Sequence, residues 1–99
     1  MKDRPLRYVK SLYAERDLEG IYRYTIRSWG KRRAAHYLGE IEKKFERLTD
    51  APEIGAPCPE LGDGVRRLSH GAHVIFYRIR SGAVEIIRIL HGMRDIKHL

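Results

Sequence analysis

The 99-residue chain has a single cysteine, a single tryptophan and only four prolines. With Cys58 alone, no intrachain disulfide can form. Its setting, Ala56-Pro57-Cys58-Pro59, is a proline-flanked loop with no electropositive helix start beside it, so it reads as an incidental thiol. No stretch approaches the ~20 apolar residues of a transmembrane helix. Met1-Lys2-Asp3-Arg4-Pro5 also lacks the apolar core of a signal peptide. The expectation is a cytoplasmic protein with no membrane contact. There is no glycine-rich phosphate loop between a strand and a helix, and no HExxH helix or cysteine–histidine grouping. His70 and His73 are close in sequence but straddle a turn, so neither a cofactor nor a metal is expected. Ser69 beside His70 is no triad signal, because adjacent strand residues face opposite ways. Without paired carboxylates or a nucleophile triad, a self-contained hydrolase is disfavoured.

Acidic residues are also scarce. Thirteen Asp/Glu stand against twenty Lys/Arg, giving a net charge of +7 and a pI of about 9.9. Such a chain attracts acidic partners, whatever its fold. Residues 1–35 and 61–99 are basic, residues 36–60 are acidic, and four of the five histidines lie in the last segment.

What is present is one domain spanning 1–99, with a hydrophobic share of 42% that supports a real core. Leu6-Arg7-Tyr8-Val9 alternates as a short first strand. Ser11 is a candidate N-cap, with Glu15 and Asp17 near the positive end of the helix that follows. Ala14, Leu18, Ile21, Tyr22, Thr25 and Trp29 form its apolar stripe, so Tyr22 and Trp29 are expected in the core, and Gly30 stops it. A second helix runs from about Lys31 to Asp50, with a stripe of Ala34, Tyr37, Leu38, Ile41, Phe45 and Leu48. Glu40 and Lys44 make an i,i+4 pair, and Gly39 is expected to allow close packing on the first helix. The turn between the helices is so short that they must form a hairpin.

Pro52, Gly55, Pro57, Pro59, Gly62 and Gly64 mark a loop of about a dozen residues. Three strands follow. Val65-Arg66-Arg67-Leu68, His73-Val74-Ile75-Phe76-Tyr77-Arg78 and Glu85-Ile86-Ile87-Arg88-Ile89-Leu90-His91 are joined by turns at Ser69–Ala72 and Arg80–Ala83, with Ser-Gly at the second hairpin. Neither the helical hairpin nor the strand meander can bury its apolar face alone. The predicted architecture is therefore a two-layer α+β domain of order β-α-α-β-β-β, with the hairpin packed on a small, mainly antiparallel sheet. The opposite face of that sheet is left for solvent or a partner. Simple alternation puts Arg88 on the face of Ile86 and Leu90, where a guanidinium needs an anionic or hydrogen-bonding partner. Tyr77 is a candidate for the open face.

The segment from Ala14 to Tyr24 with Trp29-Gly30 resembles the first helix of ParE-type toxins. Tyr37-Leu38, Phe45-Glu46-Arg47-Leu48 and Pro52-Glu53-Ile54-Gly55 resemble the second helix and its exit. Gly64–Leu68, His73–Arg78 and Ile87–Asp95 are similar to the strand region of the RelE/ParE superfamily. The resemblance implies the toxin of a bacterial type II toxin–antitoxin pair, neutralised by a ParD-like antitoxin and reaching DNA only through it. ParE-type members inhibit DNA gyrase, whereas RelE-type members cleave mRNA on the ribosome. RelE-type sequences commonly carry an arginine where this chain has Val74, and their tail often ends in Tyr or His after a basic cluster. Here the tail holds His91, Arg94, Lys97 and His98, with no tyrosine. The loss at Val74 favours a gyrase inhibitor that is not itself an enzyme, while the retained His91 and Arg88 keep the ribonuclease alternative open. The contacts implied by the family positions are Arg66, Arg67, Arg78, Arg88, His91 and Arg94. The alternative is an mRNA endonuclease with His91 as acid/base and Arg88 stabilising phosphorane charge. A DNA-binding module is disfavoured, since the second helix reads as acidic on its outer face from Glu40 to Glu46.

Overall fold

In the computed structural model, which describes residues 6–92, strand β1 (Arg7–Lys10) leads into helix α1 (Leu12–Trp29). Ser11 is the N-cap: extended at φ −66° and ψ 162°, it accepts a hydrogen bond from the Ala14 amide at 2.9 Å. Gly30 ends α1 and starts helix α2 (Lys31–Asp50), at a φ of +90° that favours a residue without a Cβ. One residue thus reverses the chain, and the apolar stripes of both helices meet the sheet. The buried members of the second stripe are Ala34, Ile41, Phe45 and Leu48, as the periodicity predicts.

The sheet has five strands where the sequence suggests four. A two-residue strand, β2 (Ala56–Pro57), forms within the proline-rich loop between two turns of 3₁₀ helix and pairs with β3 (Arg66–His70). Proline is tolerated there because β2 is an edge strand. Strands β4 (His73–Arg80) and β5 (Ala83–His91) complete the order β1-β5-β4-β3-β2. All neighbours are antiparallel except β1 and β5, which run parallel. The β4–β5 hairpin turns on Ser81 and Gly82, both at positive φ (53° and 76°), as a two-residue primed turn requires.

Two apolar clusters flank the sheet. Against the helices, Ile21, Ile41, Phe45 and Leu48 meet Ile75, Tyr77, Val84, Ile86 and Ile89. On the other face, Phe76 and Leu90 pack with Cys58 and Val65, with Val74, Leu61 and Ile87 around them. The outer face is therefore not simply open, because the loop folds back over half of it. Cys58 is only 1% exposed, and burial pushes its thiol pKa up. It is a packing residue, which the loop composition hides.

Four further expectations change. Tyr77 is fully buried on the helix side. Its hydroxyl donates to the Pro52 carbonyl (2.6 Å) and accepts from the Gly55 amide (2.9 Å), pinning the loop to the sheet. Gly55 is irreplaceable there, since a Cβ would lie 2.5 Å from that hydroxyl and 2.8 Å from the Arg67 carbonyl oxygen. Trp29 is 63% exposed and Tyr22 38%. Trp29 closes the helix beyond the sheet's reach, under the Arg33 guanidinium. Tyr22 is turned 100° from Ile21 about the helix axis. Gly39 does not serve helix packing, because a Cβ there meets nothing within 4 Å. Lastly, a β-bulge in β5 places Arg88 opposite Phe76 and Ile86 opposite Tyr77, leaving Ile87 extra. Past the bulge the alternation flips, so Ile86 and Leu90 lie in different clusters.

Candidate functional site

Beyond Ile86, no strand among the described residues lies on the β1 side of β5, because β1 ends at Lys10 and the chain turns into α1. The unpaired edge is finished by side chains of α1. Ser11 donates from its hydroxyl to the Ile87 carbonyl at 2.8 Å. The Asp17 carboxylate accepts from the Ile89 amide at 2.9 Å, and also takes the Arg88 guanidinium in a two-pronged pair, Nε at 2.8 Å and Nη2 at 3.0 Å. These bonds raise the Arg88 pKa further. The guanidinium also lies 5.8 Å from the centre of the Tyr13 ring. Arg88 thus finds its carboxylate on the first helix, not at Glu85 or on the second helix.

On α1 the residues beside the buried stripe recur as Tyr13, Asp17, Gly20 and Tyr24. Asp17, Gly20 and Tyr24, with Ile89, Leu90 and His91, line a groove of about 670 Å³ between α1 and the end of β5. Past Tyr24 and Trp29 the groove continues into a hollow of about 250 Å³ bounded by Arg33, Tyr37 and His73. Tyr24 and Trp29 stand 61% and 63% exposed along it. Gly20 forms part of the floor, and none of the described residues comes within 4 Å of its Cβ position.

At the groove's far end three histidines converge. The Tyr37 hydroxyl lies 2.7 Å from His73 Nδ1 and 3.1 Å from the His70 carbonyl oxygen, to which it donates. His73 meets the His91 ring edge-on at 5.7 Å. Burial, with His91 and His70 nearby, lowers the His73 pKa, so its imidazole is neutral at pH 7. His70 lies 3.4 Å from Glu40. Among the described residues no group of histidines, cysteines and acids is arranged to hold a metal ion. No described helix is long and apolar enough to cross a membrane.

The residues singled out from the sequence fall into different settings. Arg66 donates to the Gly55 carbonyl (2.6 Å) and the Glu53 carbonyl (3.3 Å), holding the loop. Arg78 donates from Nε to Glu85 at 3.0 Å on the outer sheet face, with Arg80 3.9 Å from the same carboxylate. Arg7 lies in the same row as Arg80, through Ala83. Arg67 is exposed on that face beside β2. Arg88 is held by Asp17, and His91 is exposed at the groove's end. Arg94 lies outside the described residues. Asp17, Tyr24 and Tyr37 were not singled out. A clue to the first two was their spacing beside the buried stripe of α1.

The family model described as the ParE toxin of the type II toxin–antitoxin system parDE matches residues 8–96. The chain is 37% identical to Toxin ParE1 of Mycobacterium tuberculosis (strain ATCC 25618 / H37Rv) over 91 residues, covering 91% of this chain and 93% of that protein. It is 40% identical to Toxin ParE1 of Caulobacter vibrioides over 93 residues, covering 93% and 96%. Among solved structures, the chromosomal ParDE system from P. aeruginosa aligns with a TM-score of 0.74 at 23% identity, over 87% of this chain and 95% of that one. The toxin–antitoxin complex RelBE2 from Mycobacterium tuberculosis aligns with a TM-score of 0.61 at 26% identity, over 89% and 99%. The α+β fold expected from the sequence is the fold these structures share.

Proposed function

This chain belongs to the ParE toxin family of type II toxin–antitoxin systems, and from that premise we propose that it inhibits DNA gyrase by binding and is neutralised by a ParD-like antitoxin. The observation that carries the antitoxin half is the groove along α1. It pairs an apolar floor with two exposed aromatics, beside a sheet edge finished only by side chains. An amphipathic segment can bury its apolar side there. The structural neighbour RelBE2 is a toxin–antitoxin complex.

Binding rather than hydrolysis is supported by what occupies the positions an RNase would use. Val74 packs into the outer apolar cluster, and Arg88 is committed to Asp17. Target contact is assigned to the outer-face arginines Arg67 and Arg78, with Arg80 and Arg7 beside them, and to His91 and Arg94 at the C-terminal end. Arg66 and Arg88 act there by holding the frame.

The test is a supercoiling assay with purified gyrase, titrating the toxin with and without antitoxin. Loss of supercoiling with accumulated cleaved DNA, reversed by antitoxin, supports the reading. Unaffected gyrase with toxin that still arrests growth overturns it in favour of mRNA cleavage, and His91 is then the first residue to replace.

A further inference from the structure

Helix α2 holds part of its acidic charge toward β1. Glu42 turns toward β1, accepting from the Tyr8 hydroxyl (2.5 Å) and the Lys10 ammonium (3.2 Å), and Glu46 also lies toward Tyr8. The outward face is different. Arg32, His36, Lys43 and Arg47 are all exposed and follow one another along it over roughly 22 Å at 1.5 Å per residue. His36, Lys43 and Arg47 join Lys44 and His70 in a concavity of about 520 Å³ between α2 and the end of β3, floored by Gly39. Its single acid, Glu40, is flanked by His36 (3.2 Å) and His70 (3.4 Å). The outward face carries both signs, since Glu46 and Asp50 are exposed there as well, and cations outnumber acids in the concavity, where Lys43, Lys44 and Arg47 surround Glu40.

We propose that this outward face of α2 is a docking surface for the phosphate backbone of duplex DNA. Charge complementarity selects a polyanion. The spread of the cations along one straight helix fits a regular rod. Phosphates of a duplex repeat on a fixed spacing, and a cation at each helical turn or two can reach them. The concavity has no Tyr, Trp or Phe on which unpaired bases could stack, unlike the aromatic groove on α1, and this favours a duplex over a single strand. Gly39 lets the backbone come close, and none of the described residues uses that space. The proposal does not rest on the gyrase reading, since the duplex is tested without enzyme.

The experiment follows binding of a fluorescent 20-base-pair duplex of arbitrary sequence to the full-length chain by anisotropy, across a range of salt concentrations. Wild-type protein is compared with Lys43→Glu/Arg47→Glu and with Arg23→Glu/Arg27→Glu, which makes the same charge change on α1. The first double variant is expected to lose about tenfold in affinity or more and to flatten the dependence of log K on log salt by about 2, roughly 0.9 for each contact. The α1 variant keeps the wild-type slope. Thermal melting checks that each variant folds, and Lys43→Gln/Arg47→Gln, which adds no acid, should give the same change of slope. Equal losses in the α1 and α2 variants overturn the proposal, as does binding indifferent to salt. Tighter binding of a poly-glutamate peptide than of the duplex assigns the surface to an acidic protein and also overturns it.

Discussion

The two faces of the sheet are built by different means. The helix side is a continuous apolar interior, in which Ile41, Phe45, Leu48, Ile75, Tyr77, Val84 and Ile86 are fully buried. The outer side is half a core: Phe76, Leu90, Cys58 and Val65 lie under a folded-back loop, and the remainder is arginines around Glu85. Local periodicity makes the first. A hydrogen-bonded loop, pinned by Tyr77 and Arg66, makes the second. The helix side therefore carries stability, and the outer side is free to carry contacts.

The largest expected effect comes from breaking the helix side. Phe45→Ala should cost about 3–5 kcal/mol in denaturant unfolding, and Phe76→Ala less, because the thinner outer cluster can collapse around the gap. Equal losses would mean that both faces are equally integral to the core. Next is the β5 edge. Asp17→Ala strands the Arg88 guanidinium and leaves the Ile89 amide without its acceptor. A loss of about 2 kcal/mol is expected, less than for a fully buried pair because the Arg88 side chain is 25% exposed. Tyr77→Phe then removes the tether of the loop alone. Orphaning the Gly55 amide and one Pro52 acceptor should cost about 1–2 kcal/mol, and hydrogen exchange should rise across residues 52–58 with little change in the helices. The same measurement on wild-type protein tells whether the outer cluster opens first.

Two smaller effects lie at the grooves. The folded-state pKa of His73 is below its unfolded value, so the unfolded chain binds more protons as pH falls below about 6.5. Stability present above that pH is then lost as the pH drops toward the folded pKa. The loss should be smaller in His73→Gln, measured as the difference in unfolding midpoint between pH 7.5 and pH 5. The smallest effect is a gain. Gly39→Ala should stabilise the protein by about 0.5–1 kcal/mol, since helix propensity improves and a Cβ meets nothing. A clear loss would show that the outward face of α2 packs more tightly than the geometry allows.

Much of the helical half is legible in the sequence. Ser11, Gly30 and the two stripes are local signals, carried by residues within a few positions of one another. The candidate site is less legible. Arg88 visibly needs a partner, but Asp17, 71 residues earlier, is chosen only when β1 ends early and α1 crosses the open edge. The bulge at Ile87 reverses which side each residue of late β5 faces, and nothing in Ile86-Ile87-Arg88-Ile89-Leu90 marks it. Tyr22 and Trp29 fit the stripe, yet a stripe gives only direction about the axis. It does not say where the sheet stops.

By itself the sequence determined the two helices, four of the five strands, their order, the buried stripe of the second helix and membership of the superfamily, because periodicity, caps and turn residues act over short distances. Tertiary structure decided the edge strand β2, the parallel pairing of β1 with β5, the burial of Cys58 under its loop and the Asp17–Arg88 pair. Each of these depends on which surfaces meet. Contacts between residues far apart in the chain fix that choice once the elements pack.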